Sequence, residues 1–265
     1  MLAPSSAAWS APEPEAPDAL GPGTAETLDA ICGGAVQVLQ RRSGYRFNLD
    51  SLLLAHFAVQ TAGAGRGRVI DLGTGCGILP LVLVRRLGCR EVTGLELQPG
   101  LFGLAQRNVR LNRCEGAVSL VLGDLCQVQQ KFGRGSFSHV LCNPPYRPRA
   151  AARLGAQSER VLARHELACS LADVASAARY LLGARGGLSL VYPASRFAEL
   201  AAALEAQRLS LRHLRLVHPR PGRPAKLLLL HALRAPRGPL VVLPPLVLHE
   251  LPGAAFTPEV AALLG

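Results

Sequence analysis

The sequence predicts an α/β fold with a mostly parallel, seven-stranded sheet, an antiparallel last strand and helices on both faces. Three observations support this prediction. Hydrophobic residues make up 49% of the 265 residues, strand-like apolar runs alternate with helical stretches from Arg68 onwards, and a short Pro/Gly-rich link, residues 218–224, joins the last two runs. Alternating strands and helices are typical of a parallel sheet covered on both faces. A short link favours a hairpin, which reverses the final strand.

The individual elements follow from the apolar pattern along the chain. Seven apolar runs predict strands at residues 68–72, 91–96, 117–122, 138–142, 188–192, 211–217 and 226–234. Longer stretches predict helices at residues 49–59, 78–87, 99–112, 166–182 and 197–207.

The composition divides the chain into three parts. Residues 1–24 are rich in Ala, Pro, Ser and acids without periodicity, and they predict a disordered tail. Residues 25–235 predict one folded domain, which opens with a helical segment near Thr24. Residues 236–265 predict an apolar, Pro-rich extension that packs on this domain.

Charge is distributed unevenly along the chain. There are 29 Lys and Arg against 18 Asp and Glu, which gives a net charge of +11. The first 30 residues hold five of the acids and none of the bases, so the remainder is still more basic. A body this basic predicts a polyanionic partner such as nucleic acid. Genomic base bias is the alternative explanation, because arginines far outnumber lysines.

Several other classes of protein are disfavoured. The sequence has no run of 18 apolar residues, so it does not predict a transmembrane helix. The N-terminus lacks the basic-then-apolar order of a signal peptide, and we therefore expect a cytoplasmic protein. The seven cysteines are scattered without a C-x-x-C pair. We therefore expect reduced thiols, and neither a disulfide framework nor a metal site.

The sharpest local signal lies where the strand at 68–72 meets its helix. Asp71 is followed by three alternate glycines, Gly73, Gly75 and Gly77. Glycines permit a tight turn and the close approach of a ligand. A dinucleotide-binding loop would need glycine where Ile78 stands, which disfavours a dehydrogenase. Asp71 would repel phosphate, but it could attract the ammonium group of an amino-acid-like ligand.

Two further acids, Glu96 and Asp124, end the next two predicted strands. Together with Asp71 they lie at the carboxyl edge of the sheet, where open α/β sheets bind ligands. Glu96 could accept hydrogen bonds from ribose hydroxyls, and Asp124 could reach an adenine amino group. Ammonium, ribose and adenine match S-adenosyl-L-methionine, whose product is S-adenosyl-L-homocysteine. The pattern resembles the class I S-adenosylmethionine-dependent methyltransferases, which have a Rossmann-like fold; a structural glycine turn with acidic helix caps is the alternative.

A second motif, Asn143-Pro144-Pro145-Tyr146, follows the strand at 138–142 at the same edge. The prolines fix the backbone, so the Asn143 side chain and the Pro144 carbonyl can both accept from one NH2 group. This arrangement would aim the nitrogen lone pair at a methyl group and temper the developing positive charge. Tyr146 offers a flat face to a planar base. The motif resembles that of methyltransferases acting on adenine N6, cytosine N4, some guanines or glutamine amide, whereas in isolation it could be a simple turn.

More of the chain is similar to the bacterial tRNA(Val) adenine-N6 methyltransferases. The similarity covers roughly residues 25–265. It is carried by G-Y-R-F-N-L-D-S-L-L-L-A-H-F at 44–57, A-R-H-E-L at 163–167, V-H-P-R-P-G-R at 217–223 and F-T-P-E-V at 256–260. This resemblance implies that Tyr45, Phe47 and Asp50 close over the methionine end of the cofactor, although a helix cap with core aromatics would explain them equally well. His165 is more typical of a structural histidine.

Four arginines are candidates for contact with RNA. Arg147 and Arg149 follow the second motif, and Arg220 and Arg223 lie in the final hairpin loop, which a parallel strand would bring to the same edge of the sheet. Arginine forks suit phosphate groups. Solvated loop charge is the alternative explanation.

The sequence therefore predicts a methyltransferase that uses S-adenosyl-L-methionine and no metal, and acts on adenine N6 in RNA, with tRNA as the expected substrate. The expected oligomeric state is a monomer. A protein glutamine-amide methyltransferase is the leading alternative. A catalytically silent RNA-binding module of the same fold is a third possibility.

Overall fold

A computed structural model describes residues 21–43, 46–144, 169–234, 238–251, 253 and 255–265. The strands are β1 (Glu26–Ile31), β2 (Val36–Arg41), β3 (Val69–Leu72), β4 (Val92–Glu96), β5 (Val118–Leu122), β6 (Phe137–Cys142), β7 (Leu182–Pro193), β8 (Ser210–His218), β9 (Leu227–Leu233), β10 (Val241–Val242) and β11 (Leu246–Val247). The α-helices are α1 (Leu49–Ala62), α2 (Ile78–Arg85), α3 (Pro99–Leu111), α4 (Leu171–Leu181), α5 (Phe197–Ala206) and α6 (Pro258–Leu264). Short 3-10 helices span Leu125–Gln130 and Ala194–Arg196.

The central sheet confirms the predicted fold class. Its strands lie in the order β10-β8-β9-β7-β6-β3-β4-β5, and β11 also pairs with β8. β9 is antiparallel to β7 and β8, while the other pairings in this sheet are parallel. The seven predicted strands are therefore present, and the last of them is inserted antiparallel between its two predecessors. β10 and β11 come from the C-terminal extension, which packs on the domain.

Helices cover both faces of this sheet. Val69 of β3 packs in a cluster with residues of α1, α2 and α3, whereas its neighbour Ile70 packs in a second cluster with residues of α4 and α5. Consecutive strand residues point to opposite faces, and every residue of β3 and β4 is buried, so these strands are covered on both sides. The described part of the chain contains no helix with the length and apolar composition needed to cross a lipid bilayer.

The predicted helical segment near Thr24 is wrong, because the chain there forms an antiparallel hairpin of β1 and β2. In β2, the exposed Gln37 lies between the buried Val36 and Val38, because successive side chains of a strand point to opposite faces. The connecting turn has left-handed backbone at Cys32, Gly33 and Gly34, and two adjacent glycines suit such a turn. Residues 1–20 of the predicted tail lie outside the described residues.

Two asparagines of α3 anchor this hairpin to the domain. The side chain of the fully buried Asn108 accepts from the Leu39 N–H (2.7 Å) and donates to the carbonyls of Leu39 (3.0 Å) and Cys76 (2.9 Å). One turn later, the Asn112 side chain accepts from the Gln37 N–H (2.9 Å) and donates to the Gln37 carbonyl (2.6 Å). The two side-chain amides therefore form hydrogen bonds with the backbone of β2, as a neighbouring strand would. Through Cys76, Asn108 also joins the hairpin to the glycine loop after β3.

Asn108→Ala is expected to destabilise the protein by about 3 kcal/mol, because it leaves three buried backbone groups without their partner. Thermal unfolding should show a fall in Tm of roughly 6–12 °C. Gln106→Ala is the matched control, since Gln106 is an exposed polar residue of the same helix. A melting temperature equal to that of the wild type would show that the asparagine does not anchor the hairpin.

Candidate active site

The glycine loop between β3 and α2 has the geometry predicted for close approach of a ligand. Gly73, Gly75 and Gly77 have φ values of 79°, 60° and 84°, which lie in the left-handed region that favours glycine. The N–H groups of Gly73 and Thr74 donate to the Leu95 carbonyl (2.9 and 3.0 Å), so the loop is held against the end of β4. A Cβ atom on Gly73 would meet no atom within 4 Å, which shows that this side of the loop faces open space.

Asp71 is a buried carboxyl group immediately before the loop. It is only 2% exposed, and burial, together with the nearby negative charge of Glu96, raises its pKa to about 7. A buried carboxylate of this kind is stabilised by a positively charged partner. The environment of Asp71 therefore fits the predicted ammonium group.

Glu96 connects the end of β4 to the glycine loop. Its Oε2 accepts from the Gly75 N–H and its Oε1 from the Gln98 N–H, both at 2.8 Å. Burial raises the pKa of Glu96, although these backbone donors act in the opposite direction. An ionised carboxylate can accept about four hydrogen bonds, so the group can also accept from the hydroxyls of a ligand.

A cleft runs from Glu96 to Asp124 along the ends of β4 and β5. Its lining includes Leu97 and Leu125 beside the two carboxyl groups. Leu97 is one of the exposed large apolar side chains of the described chain, and Asp124 caps the following turn by accepting from the Cys126 N–H (2.8 Å). Apolar walls with a few placed acceptors are typical of a cleft for a planar, hydrogen-bonding ligand. Sequence reasoning missed the two leucines, which no motif marks.

Asn143 lies beside the glycine loop because β6 pairs with β3. Cys142 pairs with Leu72, and Asn143 and Gly73 are the next residues of the two strands. The Asn143 Nδ2 donates to the Ser51 Oγ (3.0 Å). Ser51 is a buried residue in the first turn of α1. The amide nitrogen therefore bonds to Ser51, and Oδ1 is the hydrogen-bond acceptor of this side chain. Sequence reasoning did not single out Ser51.

The other predicted residues near the cofactor loop are described only in part. Phe47 is partly buried against the apolar core, as expected for a core aromatic, and its N–H donates to the Gln40 Oε1 (3.0 Å). Asp50 lies in the first turn of α1, next to the Ser51 that contacts Asn143. The remaining predictions fall outside the described residues, namely Tyr45, Pro145, Tyr146, Arg147, Arg149 and His165.

The loop from β8 to β9 lies at the same edge of the sheet as these groups. β8 is antiparallel to β9, which is antiparallel to β7, so β8 and β7 run in the same direction. Three strand spacings separate β8 from β6, a lateral distance of about 14 Å. Arg220 is half-buried and Arg223 is exposed in this loop. The two arginines therefore lie to one side of Asn143, at a distance that a nucleic-acid substrate could span.

Comparisons with known proteins agree with this geometry. A family model described as the methyltransferase small domain matches residues 48–168. The tRNA1(Val) (adenine(37)-N6)-methyltransferase of Shewanella baltica strain OS195 is 30% identical over 171 residues, which cover 63% of this chain and 68% of the relative. The protein of the same name from Porphyromonas gingivalis strain W83 is 27% identical over 187 residues, 69% of this chain and 72% of the relative. A crystal structure of a predicted O-methyltransferase from Agrobacterium tumefaciens has a TM-score of 0.63 at 28% identity, and the match covers 81% of this chain and 94% of that one.

The sheet order and the comparisons define a class I S-adenosylmethionine-dependent methyltransferase. Within this class, the chain belongs to the family of the tRNA1(Val) adenine-N6 methyltransferases. It is therefore an N-methyltransferase with S-adenosyl-L-methionine as its cofactor.

Proposed function

We propose that the protein transfers a methyl group from S-adenosyl-L-methionine to the exocyclic N6 of an adenine in RNA, with tRNA as the natural substrate and the cytoplasm as its location. The contact between Asn143 and Ser51 beside the glycine loop carries this proposal. The bond to Ser51 holds the Asn143 amide at the carboxyl end of β6, next to the glycine loop.

The cofactor residues have distinct roles in this proposal. Asp71 holds the ammonium group, Glu96 accepts from the ribose hydroxyls, and Asp124 accepts from the adenine amino group. Gly73, Gly75 and Gly77 let the backbone approach the ligand, and Leu97 and Leu125 contact the faces of its adenine. When bound, the cofactor supplies an electrophilic methyl group.

The target amino group is held by the second motif. Asn143 Oδ1 and the Pro144 carbonyl accept its two N–H bonds, which aims the nitrogen lone pair at the methyl group. The same acceptors stabilise the positive charge that develops on nitrogen during transfer. Because the methylated nitrogen can release its proton to water afterwards, the attack itself needs no general base. Tyr146 provides the stacking face for the flipped base.

RNA is favoured over a protein substrate by charge and by family. The chain carries a net charge of +11, which suits a polyanion, and the relatives above are named for an adenine in tRNA. A glutamine-amide substrate would use the same acceptors on nitrogen. The residues that distinguish RNA from protein are therefore those that contact the backbone of the substrate. The residues that hold its amino group would be the same for both.

Radiolabelled methyl transfer tests the proposal. The purified full chain is incubated with labelled S-adenosyl-L-methionine and separately with total RNA, DNA and protein extract. We expect the label in the tRNA fraction, and nucleoside analysis should identify it as N6-methyladenosine. Label mainly in protein would replace the RNA proposal by the glutamine-amide alternative. Cofactor and RNA binding without transfer to any fraction would favour the catalytically silent module.

The double variant Arg220→Ala, Arg223→Ala is expected to weaken RNA binding and to flatten its dependence on salt, because each lost phosphate contact removes the release of a counterion. Affinity measured from low to physiological salt should show a slope smaller by roughly one to two. Arg113→Ala, Arg110→Ala serves as a matched control of equal charge, located at the end of α3 away from the β8–β9 loop. If both pairs change the slope equally, the β8–β9 loop is not a specific RNA contact.

A further inference from the structure

Three potential metal ligands meet beside the cofactor cleft. The Sγ atoms of Cys126 and Cys169 and a carboxylate oxygen of Asp173 all lie within 4.8 Å of one another. Cys126 belongs to the 3-10 helix after β5, whereas Cys169 lies two residues before α4 and Asp173 lies in the first turn of that helix. The two cysteines are 43 positions apart in the sequence, so no short motif such as C-x-x-C predicts the cluster.

Both halves of this cluster are held in place by local hydrogen bonds. At α4, the Asp173 Oδ2 accepts from the N–H (2.7 Å) and the hydroxyl (2.6 Å) of Ser170. The Asp173 N–H in turn donates to the Ser170 Oγ (3.3 Å), which completes a capping box. At the 3-10 helix, Asp124 Oδ1 accepts from the Cys126 N–H (2.8 Å). Because the bonds to Ser170 use only Oδ2, the Asp173 carboxylate can present Oδ1 to an ion. The ligand atoms are therefore gathered before any ion arrives.

The kinds of ligand atom in the cluster fit a metal ion. Two thiols and one carboxylate, which come from two separate segments of the chain, offer sulfur and oxygen donors within 4.8 Å of one another. A cation placed among these groups would offset the repulsion between the thiolates and the carboxylate.

We propose that Cys126, Cys169 and Asp173 bind a zinc ion at the outer wall of the cofactor cleft. Two thiolates and one carboxylate are typical zinc ligands, and three protein ligands leave a fourth position for water. An open surface cavity lined by Cys126, Asp173, Gln129, Ser176 and Tyr180 gives solvent and ions access to the cluster. None of these three residues has an assigned role in the methyl transfer described above.

The ion would connect two segments that both border the cofactor cleft. Cys169 lines that cleft together with Glu96 and Asp124, and the 3-10 helix of Cys126 starts directly after Asp124. Zinc would therefore fix the turn after β5 to the start of α4. The proposal departs from the sequence prediction of reduced thiols without a metal site.

Cobalt(II) substitution tests the site directly. The reduced, metal-free full chain is titrated with Co²⁺, whose thiolate complexes absorb in the near ultraviolet. We expect this absorption to saturate at one equivalent and to disappear when Zn²⁺ displaces the cobalt. Cys126→Ser and Cys169→Ser should each lose the absorption, while Cys89→Ser, a buried cysteine outside the cluster, should keep it. Absence of the absorption in the wild type, or its retention in both cluster variants, would overturn the proposal.

Thermal unfolding gives a second readout that does not depend on cobalt. Zn²⁺ bound only by the folded state raises Tm, so we expect a zinc-dependent increase in the wild type and none in Cys126→Ser. Cys126 is exposed, and its variant should fold, which circular dichroism can verify. A quantitative Cys126–Cys169 disulfide in the untreated protein, with no uptake of Co²⁺ or Zn²⁺ after reduction, would show a redox pair and would also overturn the proposal.

Discussion

Asn143→Ala is expected to slow methyl transfer by a factor of roughly 10² or more while leaving cofactor affinity unchanged. The variant removes the Oδ1 acceptor that orients the amino group, and the loss of a preorganised acceptor of this kind has an effect of that size. Its bond to the Ser51 Oγ involves no residue that the proposal assigns to the cofactor, so binding of S-adenosyl-L-homocysteine should persist. Single-turnover methylation at saturating RNA, with calorimetry for the cofactor, measures the two effects separately.

Ser51→Ala tests whether the rate depends on the orientation of the Asn143 amide or only on its presence. This variant keeps the Asn143 oxygen but removes the 3.0 Å bond that fixes the amide, so we expect a smaller rate loss than for Asn143→Ala. The exposed Gln106→Ala, at a distance on α3, should methylate at the wild-type rate. A near wild-type rate for Asn143→Ala itself would show that the proposed mechanism at the amino group is wrong.

The sheet could be predicted from the sequence because its signals are local. The segments that form β3 and β4 are short and rich in Val, Ile and Leu, each follows a charged residue, and every residue of both strands is buried. The order of the strands and helices then determines which strand ends share an edge. For this reason the sequence alone predicts that Asp71, Glu96 and Asn143 lie near one another. The antiparallel β9 followed from the short link after β8.

The features that sequence reasoning missed depend on contacts between distant residues. Asn108 lies on α3, whose sequence pattern identifies only the apolar face of the helix. The role of Asn108 depends on β2, because its side chain bonds to the backbone of Leu39 in that strand. Cys126 and Cys169 approach each other only because α4 packs against the turn after β5. The β1–β2 hairpin was missed for a different reason, since six-residue strands carry too few positions to separate alternation from a helical period.

These missed contacts connect the parts of the candidate active site. Asn108 joins the hairpin to the carbonyl of Cys76 in the glycine loop. Ser51 joins the start of α1 to Asn143, and Gln40 of the hairpin accepts from the N–H of Phe47 just before α1. The hairpin is thus linked by hydrogen bonds to the cofactor loop through Asn108 and to the segment that leads to Ser51 through Gln40. A variant that loosens the hairpin, such as Asn108→Ala, should therefore weaken cofactor binding as well as stability.

Asp71→Asn is expected to stabilise the cofactor-free protein at alkaline pH while weakening its affinity for the cofactor. The folded protein has an Asp71 pKa of about 7, raised from the usual 3.8 mainly by burial. A group whose pKa is raised by folding contributes stability that is fully present below its unfolded pKa and is lost as the pH rises through the folded value. The wild type should therefore lose stability between these two values, whereas asparagine cannot ionise and should remove this loss.

The expected difference grows with pH in a measurable way. Between about pH 5 and pH 8, the unfolding free energy of Asp71→Asn should rise relative to that of the wild type by roughly 2–3 kcal/mol. Urea unfolding without cofactor measures this change, and Glu115→Gln, at an exposed acid, is the matched control. Calorimetry should show weaker binding of S-adenosyl-L-homocysteine by Asp71→Asn, because the neutral amide cannot pair with an ammonium group. Parallel pH profiles for variant and wild type would show that Asp71 does not carry a buried charge, whereas unchanged cofactor affinity would remove Asp71 from the proposed ammonium site.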